Sequence, residues 1–273
     1  MRVSLRLCVV AASMISGAAG CLGGPDAEWG AAGIEAPGPA YAVRIDSNIT
    51  VQHTGPQGPL EPPKQIHTTV RGLLRTEAMD AAGNVPASFR LCHLDLPPAG
   101  GRQLVLRDDV WARLPESRLS FQPGSAPASW NLSPWAILMG WRGLTDPVNE
   151  VLPTDPNDPR VDPVEDDQPG VRIGIQVDNW GDPQIDASVR VRLPRGTAAL
   201  APDGRLVGEV DLAHEVWVWY ANMPFPISDR GAAEANEYMR KKLLEWPILS
   251  QRHDLSGVPI DPAADCARVL ATY

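Results

Sequence analysis

Short alternating segments separated by proline are the feature that most constrains this fold. The chain has 28 prolines among 273 residues, and proline is found mainly in turns, at strand edges and in connections because it has no backbone N–H. Between the prolines, apolar and polar residues alternate with a period of two, which indicates strands that bury one face. The sequence therefore predicts many short strands with irregular connections.

The predicted strands follow one another through turns rather than through helices. They cover residues 41–53, 66–79, 88–96, 171–177, 186–193 and 205–220, with shorter apolar pieces at 104–106 and 119–121. The dipeptide Asp203-Gly204 is typical of a hairpin turn. Helical spacing occurs in one segment, which Ser228 would cap and Pro247 would end. The expected fold class is β-rich and antiparallel, barrel-like or a sandwich, with one helix in the C-terminal half.

Changes in composition suggest where the chain divides. Residues 22–39 are rich in Gly, Ala and Pro, and the stretch 151–170 is acidic and interrupted by proline, so both are typical of extended connections. The expected division is a signal at 1–20, a tether at 21–40 and a β-rich domain at 41–273. Within that domain, strand groups 41–150 and 171–273 would be joined by the acidic linker 151–170, as one domain or two.

The start of the chain has the layout of an export signal. Arg2 and Arg6 precede the apolar run Leu7–Ile15, which is too short to span a bilayer. The stretch Ala18-Ala19-Gly20-Cys21 then resembles the lipobox of bacterial lipoproteins, with Ala18 where that family usually has leucine. The resemblance implies that residues 1–20 are removed and that Cys21 is acylated. The alternative is ordinary secretion with Cys21 unmodified.

A lipid on Cys21 would place the protein outside the cytoplasm on a membrane. Two or three acyl chains hold a protein firmly, because each buried CH₂ contributes about 0.8 kcal/mol. Leu22, in place of Asp, resembles the sorting pattern for the outer rather than the inner membrane.

The charge balance argues against nucleic acid as a partner. The whole chain has 24 basic and 33 acidic residues, and residues 1–20 contain two of the basic ones and no acidic one. The mature chain would therefore carry 22 basic and 33 acidic residues, a net charge of −11. Phosphate backbones bind through Lys and Arg, so an acidic surface repels them.

Cysteine usage predicts one disulfide. Cys8 lies in the signal and Cys21 is the lipid site, which leaves Cys92 and Cys266. In an oxidising compartment such a pair is most simply a disulfide, and the alternative is two free buried thiols. The bond would connect the strand-like segment 266–270 to a strand in the first half.

Motifs for catalysis are sparse. His93 and Asp95 share one face of a predicted strand, as a base and its orienting carboxylate would, but a solvated or hydrogen-bonded histidine is the favoured alternative. His214 has no partner visible in the sequence. The chain lacks Gly-x-Ser-x-Gly, Ser-x-x-Lys and His-Glu-x-x-His, so an enzyme is not the leading expectation.

The acidic linker and the tryptophans supply two further candidate sites. The linker offers the oxygen ligands that Ca²⁺ prefers, at Asp162, Glu165, Asp166 and Asp167. It resembles the Asp-rich calcium loops of some secreted proteins, although their Asp-x-Asp-x-Asp-Gly spacing is lost, and a solvated linker without a cofactor is the favoured alternative. Tryptophan faces stack on sugars or line apolar cavities, and the candidates are Trp217 and Trp219 on one strand face together with Trp130, Trp135 and Trp141. The alternative is core packing.

These observations lead to one functional expectation and two alternatives. The expectation is a membrane-anchored, non-catalytic lipoprotein whose barrel binds an apolar ligand such as a lipid. The first alternative is a surface protein that recognises carbohydrate or protein partners. The second is an envelope hydrolase, which would require His93, His214 or His253 beside a serine or a metal.

Overall fold

A computed structural model describes residues 36–95, 103–106, 108–162, 169–176, 184–222, 237 and 248–273. The fold is β-rich and antiparallel, as the alternation predicts, and its main element is a closed barrel rather than a sandwich. The lipobox-like stretch and most of the tether lie outside the described residues, as does the predicted helix between Ser228 and Pro247 apart from Glu237. No helix in the described ranges is long and apolar enough to cross a membrane.

The elements are numbered here in chain order. The strands are β1 (Ala40–Val51), β2 (Thr54–Gly55), β3 (Gly58–Pro59), β4 (Lys64–Thr76), β5 (Val85–Asp95), β6 (Gln103–Leu106), β7 (Ser117–Pro123), β8 (Ser129–Leu132), β9 (Trp135–Met139), β10 (Val171–Gln176), β11 (Gln184–Leu193), β12 (Gly196–Leu200), β13 (Leu206–Val210), β14 (Ala213–Asn222) and β15 (Ile248–Pro259). The short helices are α1 (Asp108–Arg113) and α2 (Cys266–Leu270).

Eight strands close the barrel in the order β1-β15-β13-β12-β8-β7-β5-β4. Strand β1 pairs along its length with β15 on one side and with β4 on the other, and this closes the ring. Strands from both predicted groups therefore lie in one barrel. Because side chains alternate across each strand, every second residue points inward. The large side chains of Tyr41, Phe89, Phe121 and Trp130 are fully buried and belong to the barrel core.

A second sheet has the order β14-β11-β10-β6, and β9 also pairs with β11. One face of this sheet shares the barrel's apolar core, where the rings of Phe89 and Trp135 lie 4.9 Å apart. Residues 141–162 cover the other face and enclose a smaller core around Trp141, Val161 and Trp219. The molecule therefore has two apolar layers, one on each face of the second sheet.

The predicted disulfide is present between Cys92 on β5 and Cys266. The segment that follows Asp265 is helix α2, so the prediction of a strand-like segment at 266–270 is wrong. Asp265 caps the helix, because its side chain accepts a hydrogen bond from the backbone N–H of Arg268. Val269 is buried against Ala42 and Cys92 on the outside of the barrel. A mainly apolar stretch of five residues does not distinguish a strand from a helix. The capping residue Asp265 is the feature that indicates a helix.

The prediction of one long strand over 205–220 is also wrong. The chain leaves the barrel after β13 and enters the second sheet as β14. The break falls at Asp211 and Leu212, and Leu212 is buried. Neither residue is a glycine or proline, so the sequence gives no turn signal there. The hairpin turn before β13 is confirmed, since Gly204 has a φ of +78° and joins β12 to β13.

Candidate ligand-binding site

One end of the barrel contains a cavity of about 460 Å³, called here the mouth cavity. Its floor consists of one residue from each of four neighbouring strands: Leu132 on β8, Gly196 on β12, Val210 on β13 and His253 on β15. Gly196 lies opposite both Leu132 and Val210. A Cβ at Gly196 would lie 2.9 Å from a terminal methyl of Leu132, so a larger residue there would require that side chain to shift. Barrel mouths commonly hold ligands.

The rim of the mouth cavity is polar and exposed. It consists of Asn131, Pro194, Arg195, Thr197, Glu209, Asp211, Gln251 and Arg252. Arg252 donates to Asp254 with an Nε–Oδ1 distance of 2.8 Å, and its Nη2 lies 3.4 Å from Glu209 Oε1. The rim therefore carries two arginines and two carboxylates, and the formal charges of the lining residues cancel.

The cavity exists because β13 and β15 separate at this end of the barrel. Their pairing stops where Glu209 lies opposite Asp254. On its other side, β15 stays paired with β1 as far as Ile248. After Val210 the chain crosses to the second sheet as β14. The barrel wall is therefore open beside Gln251 and His253.

His253 is the unusual residue in the floor. Its side chain is only 3% exposed, yet neither ring nitrogen has a hydrogen-bond partner among the described residues. Ser47 lies directly opposite on β1, is 1% exposed, and its hydroxyl likewise has no partner in the described part of the chain. Buried polar groups are nearly always hydrogen-bonded, so two unpartnered neighbours require an explanation.

Burial is the main influence on the charge of His253. It lowers the pKa of the imidazole below its ordinary value of 6.5, and the nearby charge of His214 lowers the pKa further. The carboxylates of Asp211 and Asp254 act in the opposite direction. The imidazole is therefore neutral at pH 7, with one nitrogen that donates a hydrogen bond and one that accepts.

The structure brings the predicted His93 and Asp95 pair together at a different place. His93 Nε2 lies 2.9 Å from Asp95 Oδ1, and Arg71 binds the other carboxylate oxygen at 2.8 Å. His93 also lines a second cavity, of about 450 Å³, beside the disulfide and Trp111. No group of three or more His, Cys, Asp or Glu side chains positioned to hold a metal occurs in the described ranges.

Four of the five candidate tryptophans are buried in the two cores. Trp130 and Trp135 belong to the barrel core, and Trp141 and Trp219 meet edge to face at 5.6 Å in the smaller core. The indole N–H of Trp219 donates to Ser188 at 2.7 Å. Trp217 is half-buried beside Trp219. Core packing, which was the alternative interpretation of these residues, therefore describes four of them. Trp135 also borders a third cavity, of about 280 Å³.

The acidic candidates are only partly described. Asp162 lies at the end of the segment that covers the second sheet, and its Oδ1 lies 3.4 Å from Arg142 Nη1. Glu165, Asp166 and Asp167 lie outside the described residues, as does Cys21. Calcium binding and acylation therefore stay predictions.

Sequence reasoning did not identify the mouth cavity. Strands β12 and β15, which supply Gly196 and His253, were not among the predicted strands. One weak signal was available: His253 stands two positions before the apolar Leu255, with the polar residues Arg252, Asp254 and Ser256 at the positions between and around them.

Comparisons with known proteins add no functional information. No protein-family model, no curated protein and no solved structure matches this chain. Function is therefore inferred from the geometry of the site.

Proposed function

We propose that this protein is a non-catalytic binding module that works outside the cytoplasm and takes a small polar ligand in the mouth cavity. A lipid on Cys21 would tether it to the membrane, and Leu22 favours the outer membrane where a cell has two. The observation that carries the proposal is His253, a buried imidazole at the floor of an open cavity whose two nitrogens have no partner in the described part of the chain.

The energetic argument concerns the cost of His253 in the empty protein. A buried polar group without a partner destabilises a fold by about 1–3 kcal/mol. An apolar side chain at this position would avoid that cost and would continue the alternation of β15. Neither ring nitrogen is exposed in this structure, so a ligand reaches one of them only when the floor side chains shift, and the hydrogen bond then formed offsets part of the cost. The indole N–H groups of Trp130 and Trp141 are also buried without a partner among the described residues, and His253 differs from them in lining an open cavity, which favours a binding site.

The polar lining favours a polar ligand over the apolar ligand expected from the tryptophans. Side chains that include Phe121 and Trp130 occupy the barrel interior. Of the five candidate tryptophans, only Trp135 lines any of the three cavities described above. A lipid would desolvate the charged rim of the mouth cavity without replacing its hydrogen bonds. Apolar-ligand binding stays a prediction with less support.

The hydrolase alternative has one supporting observation and one opposing one. Ser47 lies opposite His253 on the neighbouring strand. However, the described residues provide neither a hydrogen bond between them nor a carboxylate bound to the imidazole, and a serine–histidine pair needs both. A binding role fits this geometry better.

The cavity can be tested with the uniformly ¹⁵N-labelled mature chain and a panel of soluble polar fragments. We expect fragments that bind to shift the ring nitrogen resonances of His253. The variant Gln251→Trp places a bulky side chain at the mouth and should abolish these shifts. Gln65→Trp is the matched control, because Gln65 is an exposed glutamine on barrel strand β4 that does not line the cavity. The proposal would be overturned if the shifts persist in Gln251→Trp. It would also be overturned if no fragment in the panel shifts the His253 resonances.

The tether can be tested by the intact mass of the protein expressed in a bacterium with lipoprotein processing. We expect a chain that begins at Cys21 and carries acyl groups, recovered from the membrane fraction. Cys21→Ala should remain unacylated. An unacylated chain that retains Met1 and is recovered from the cytosol would contradict the predicted export and anchoring.

A further inference from the structure

We infer that the ligand of the mouth cavity is a neutral polyhydroxylated compound of the saccharide class, with one hydroxyl bound to His253 and others bound to the rim. The inference rests on the proposed function, because it assigns a ligand class to the same cavity. It is carried by the chemistry of the floor and the rim, which differ in burial and in charge.

The floor selects an uncharged group. Leu132 and Val210 are buried on either side of Gly196, and His253 is the one titratable side chain among the floor residues. A charged ligand group placed there would lose its hydration without meeting an opposite charge among the floor residues, which is unfavourable. The neutral imidazole instead offers one donor and one acceptor. The two nitrogens point to opposite sides of the ring, so a ligand hydroxyl pairs with one of them, either by accepting from the N–H or by donating to the other nitrogen.

The lowered pKa of His253 agrees with this assignment, because it keeps the imidazole neutral at pH 7. The titratable groups around it are His214 on β14, Asp211 between β13 and β14, and Asp254 on β15. The carboxylates only partly oppose the effect of burial.

The rim selects a ligand with several hydroxyls and no net charge. Arg195 and Arg252 would bind an anion, but Glu209 and Asp211 would repel it, and a cation meets the reverse arrangement. Hydroxyls avoid both penalties, because each can donate to a carboxylate and accept from a guanidinium. The amides of Asn131 and Gln251, which are also on the rim, pair with hydroxyls in both directions.

The rim residues come from different strands, so their polar groups surround the opening rather than face one point. Asn131 lies on β8, Thr197 on β12, Glu209 on β13 and Gln251 on β15. A sugar ring carries hydroxyls in several directions and fits such a set better than an amide or a single alcohol does. Apolar contact with its C–H groups is available from Leu132, Val210 and Pro194. The volume of about 460 Å³ lies within the range of small-molecule sites.

The test uses three groups of named probes with the mature chain. The neutral saccharides are maltose, cellobiose, lactose, mannobiose and diacetylchitobiose. The charged analogues are glucuronate and glucosamine, and the apolar probe is laurate. We expect at least one neutral disaccharide to shift the ring resonances of His253 saturably and to give a binding isotherm by calorimetry. Saturable binding by only the charged analogues or only laurate would overturn the saccharide assignment, as would the absence of binding by every neutral saccharide.

Variants separate the contact from the fold. His253→Phe removes both nitrogens and should weaken the disaccharide at least about tenfold, as expected for the loss of hydrogen bonds at a buried group. His253→Gln keeps one donor and one acceptor and should retain part of the affinity. Asp211→Asn, on the exposed rim, should weaken binding without any effect on folding. Equal affinity in wild type, His253→Phe and Asp211→Asn would contradict the inference.

Failure of this inference and failure of the proposed function give different results. If polar fragments shift His253 but no neutral saccharide does, the cavity is a binding site and the saccharide assignment is wrong. If neither fragments nor saccharides shift His253, both are wrong.

Discussion

At the scale of single residues, His253 combines a cost to folding stability with the proposed ligand contact. It occupies an interior position of β15 in line with Leu255, which is buried and apolar. We expect His253→Leu to raise the free energy of unfolding of the ligand-free protein by about 1–3 kcal/mol, because it removes an unpartnered buried group. Urea denaturation measures this directly. A destabilised His253→Leu would mean that the imidazole makes contacts in the empty protein that contradict its assignment as a ligand contact.

The protonation of His253 makes stability depend on pH. Its pKa is lowered in the folded state, so the unfolded chain binds the proton more readily. The contribution of the neutral imidazole to folding stability is therefore fully present above the pKa of histidine in the unfolded chain, about 6.5. It is lost as the pH falls through the lowered pKa of the folded state. We expect wild type to lose stability between neutral and mildly acidic pH, and His253→Leu to lose less over the same window. Denaturation midpoints of both proteins, measured across that pH window, test this expectation. Equal losses of stability in wild type and His253→Leu would contradict it.

Two residue-level features could be predicted from the sequence. In each, the count of a residue type or the spacing along one strand indicates which side chains pair. Cys92 and Cys266 were the two cysteines left after the predicted signal and the predicted lipid site, and they form the disulfide. His93 and Asp95 share a strand face, and they meet. The cavity at His253 depends on which strands become neighbours and where two of them separate. No local pattern carries that information.

At the scale of elements, the disulfide and α2 fasten the end of the chain to the outside of the barrel. The Tyr273 hydroxyl donates to the carbonyl of Ala42 at 2.9 Å, and Val269 is buried against the same strand. The disulfide closes a loop of 174 residues, so in the chain-entropy model its loss costs up to about 5 kcal/mol. We expect Cys92→Ala/Cys266→Ala to unfold at lower denaturant concentration. Reductant should destabilise wild type to the same level and leave the double variant unchanged.

The segment 141–162 depends on Arg160. Its guanidinium binds Glu150 at 2.6 Å and Asp158 at 2.7 Å, and this pairing lowers the pKa of Asp158 to about 2. The Asp158 pair stabilises the segment above the ordinary carboxyl pKa and is lost as the pH falls through about 2, and the Glu150 pair is lost as the pH falls through the lowered pKa of that carboxyl. Trp141, buried beneath the segment, reports its opening.

We therefore expect Arg160→Gln to move the acid-induced change in tryptophan emission to higher pH and to speed amide exchange within 141–162. Arg205→Gln is the matched control, since Arg205 forms a similar pair with Asp203 in the hairpin turn. An unchanged acid transition in Arg160→Gln would show that apolar packing alone holds the segment.

Prediction of elements succeeded where alternation was clean and turns were marked. Strands β1, β4, β5, β10 and β11 were all anticipated, because each alternates in isolation. The 205–220 segment kept its alternation across a change of sheet, so β13 and β14 were joined in the prediction. Strand β12 is short and rich in alanine, which gives a weak pattern. Local sequence reports the state of a strand, but the sheet to which it belongs is set by tertiary packing.

At the scale of the whole molecule, the barrel is closed by pairings between residues far apart in the chain. Asp46 on β1 lies opposite Asp254 on β15, and Leu132 on β8 lies opposite Gly196 on β12. Such pairings cannot be read from one sequence, because many strand orders satisfy the same alternation. The fold class was therefore predictable, whereas the strand order and the position of the mouth cavity were not.

The same topology makes neither strand group able to fold alone. Without residues 169–273, β1 loses β15 and β8 loses β12, which leaves two exposed strand edges and an open apolar core. We expect fragments 36–162 and 169–273, expressed separately, to give poorly dispersed amide spectra. Co-expressed, they should form a complex with the dispersed spectrum of the intact chain. A well-folded monomeric fragment 36–162 would contradict this expectation. Such a fragment would still lack His253 and three of the four floor strands of the mouth cavity. The mouth cavity therefore requires both strand groups in every case.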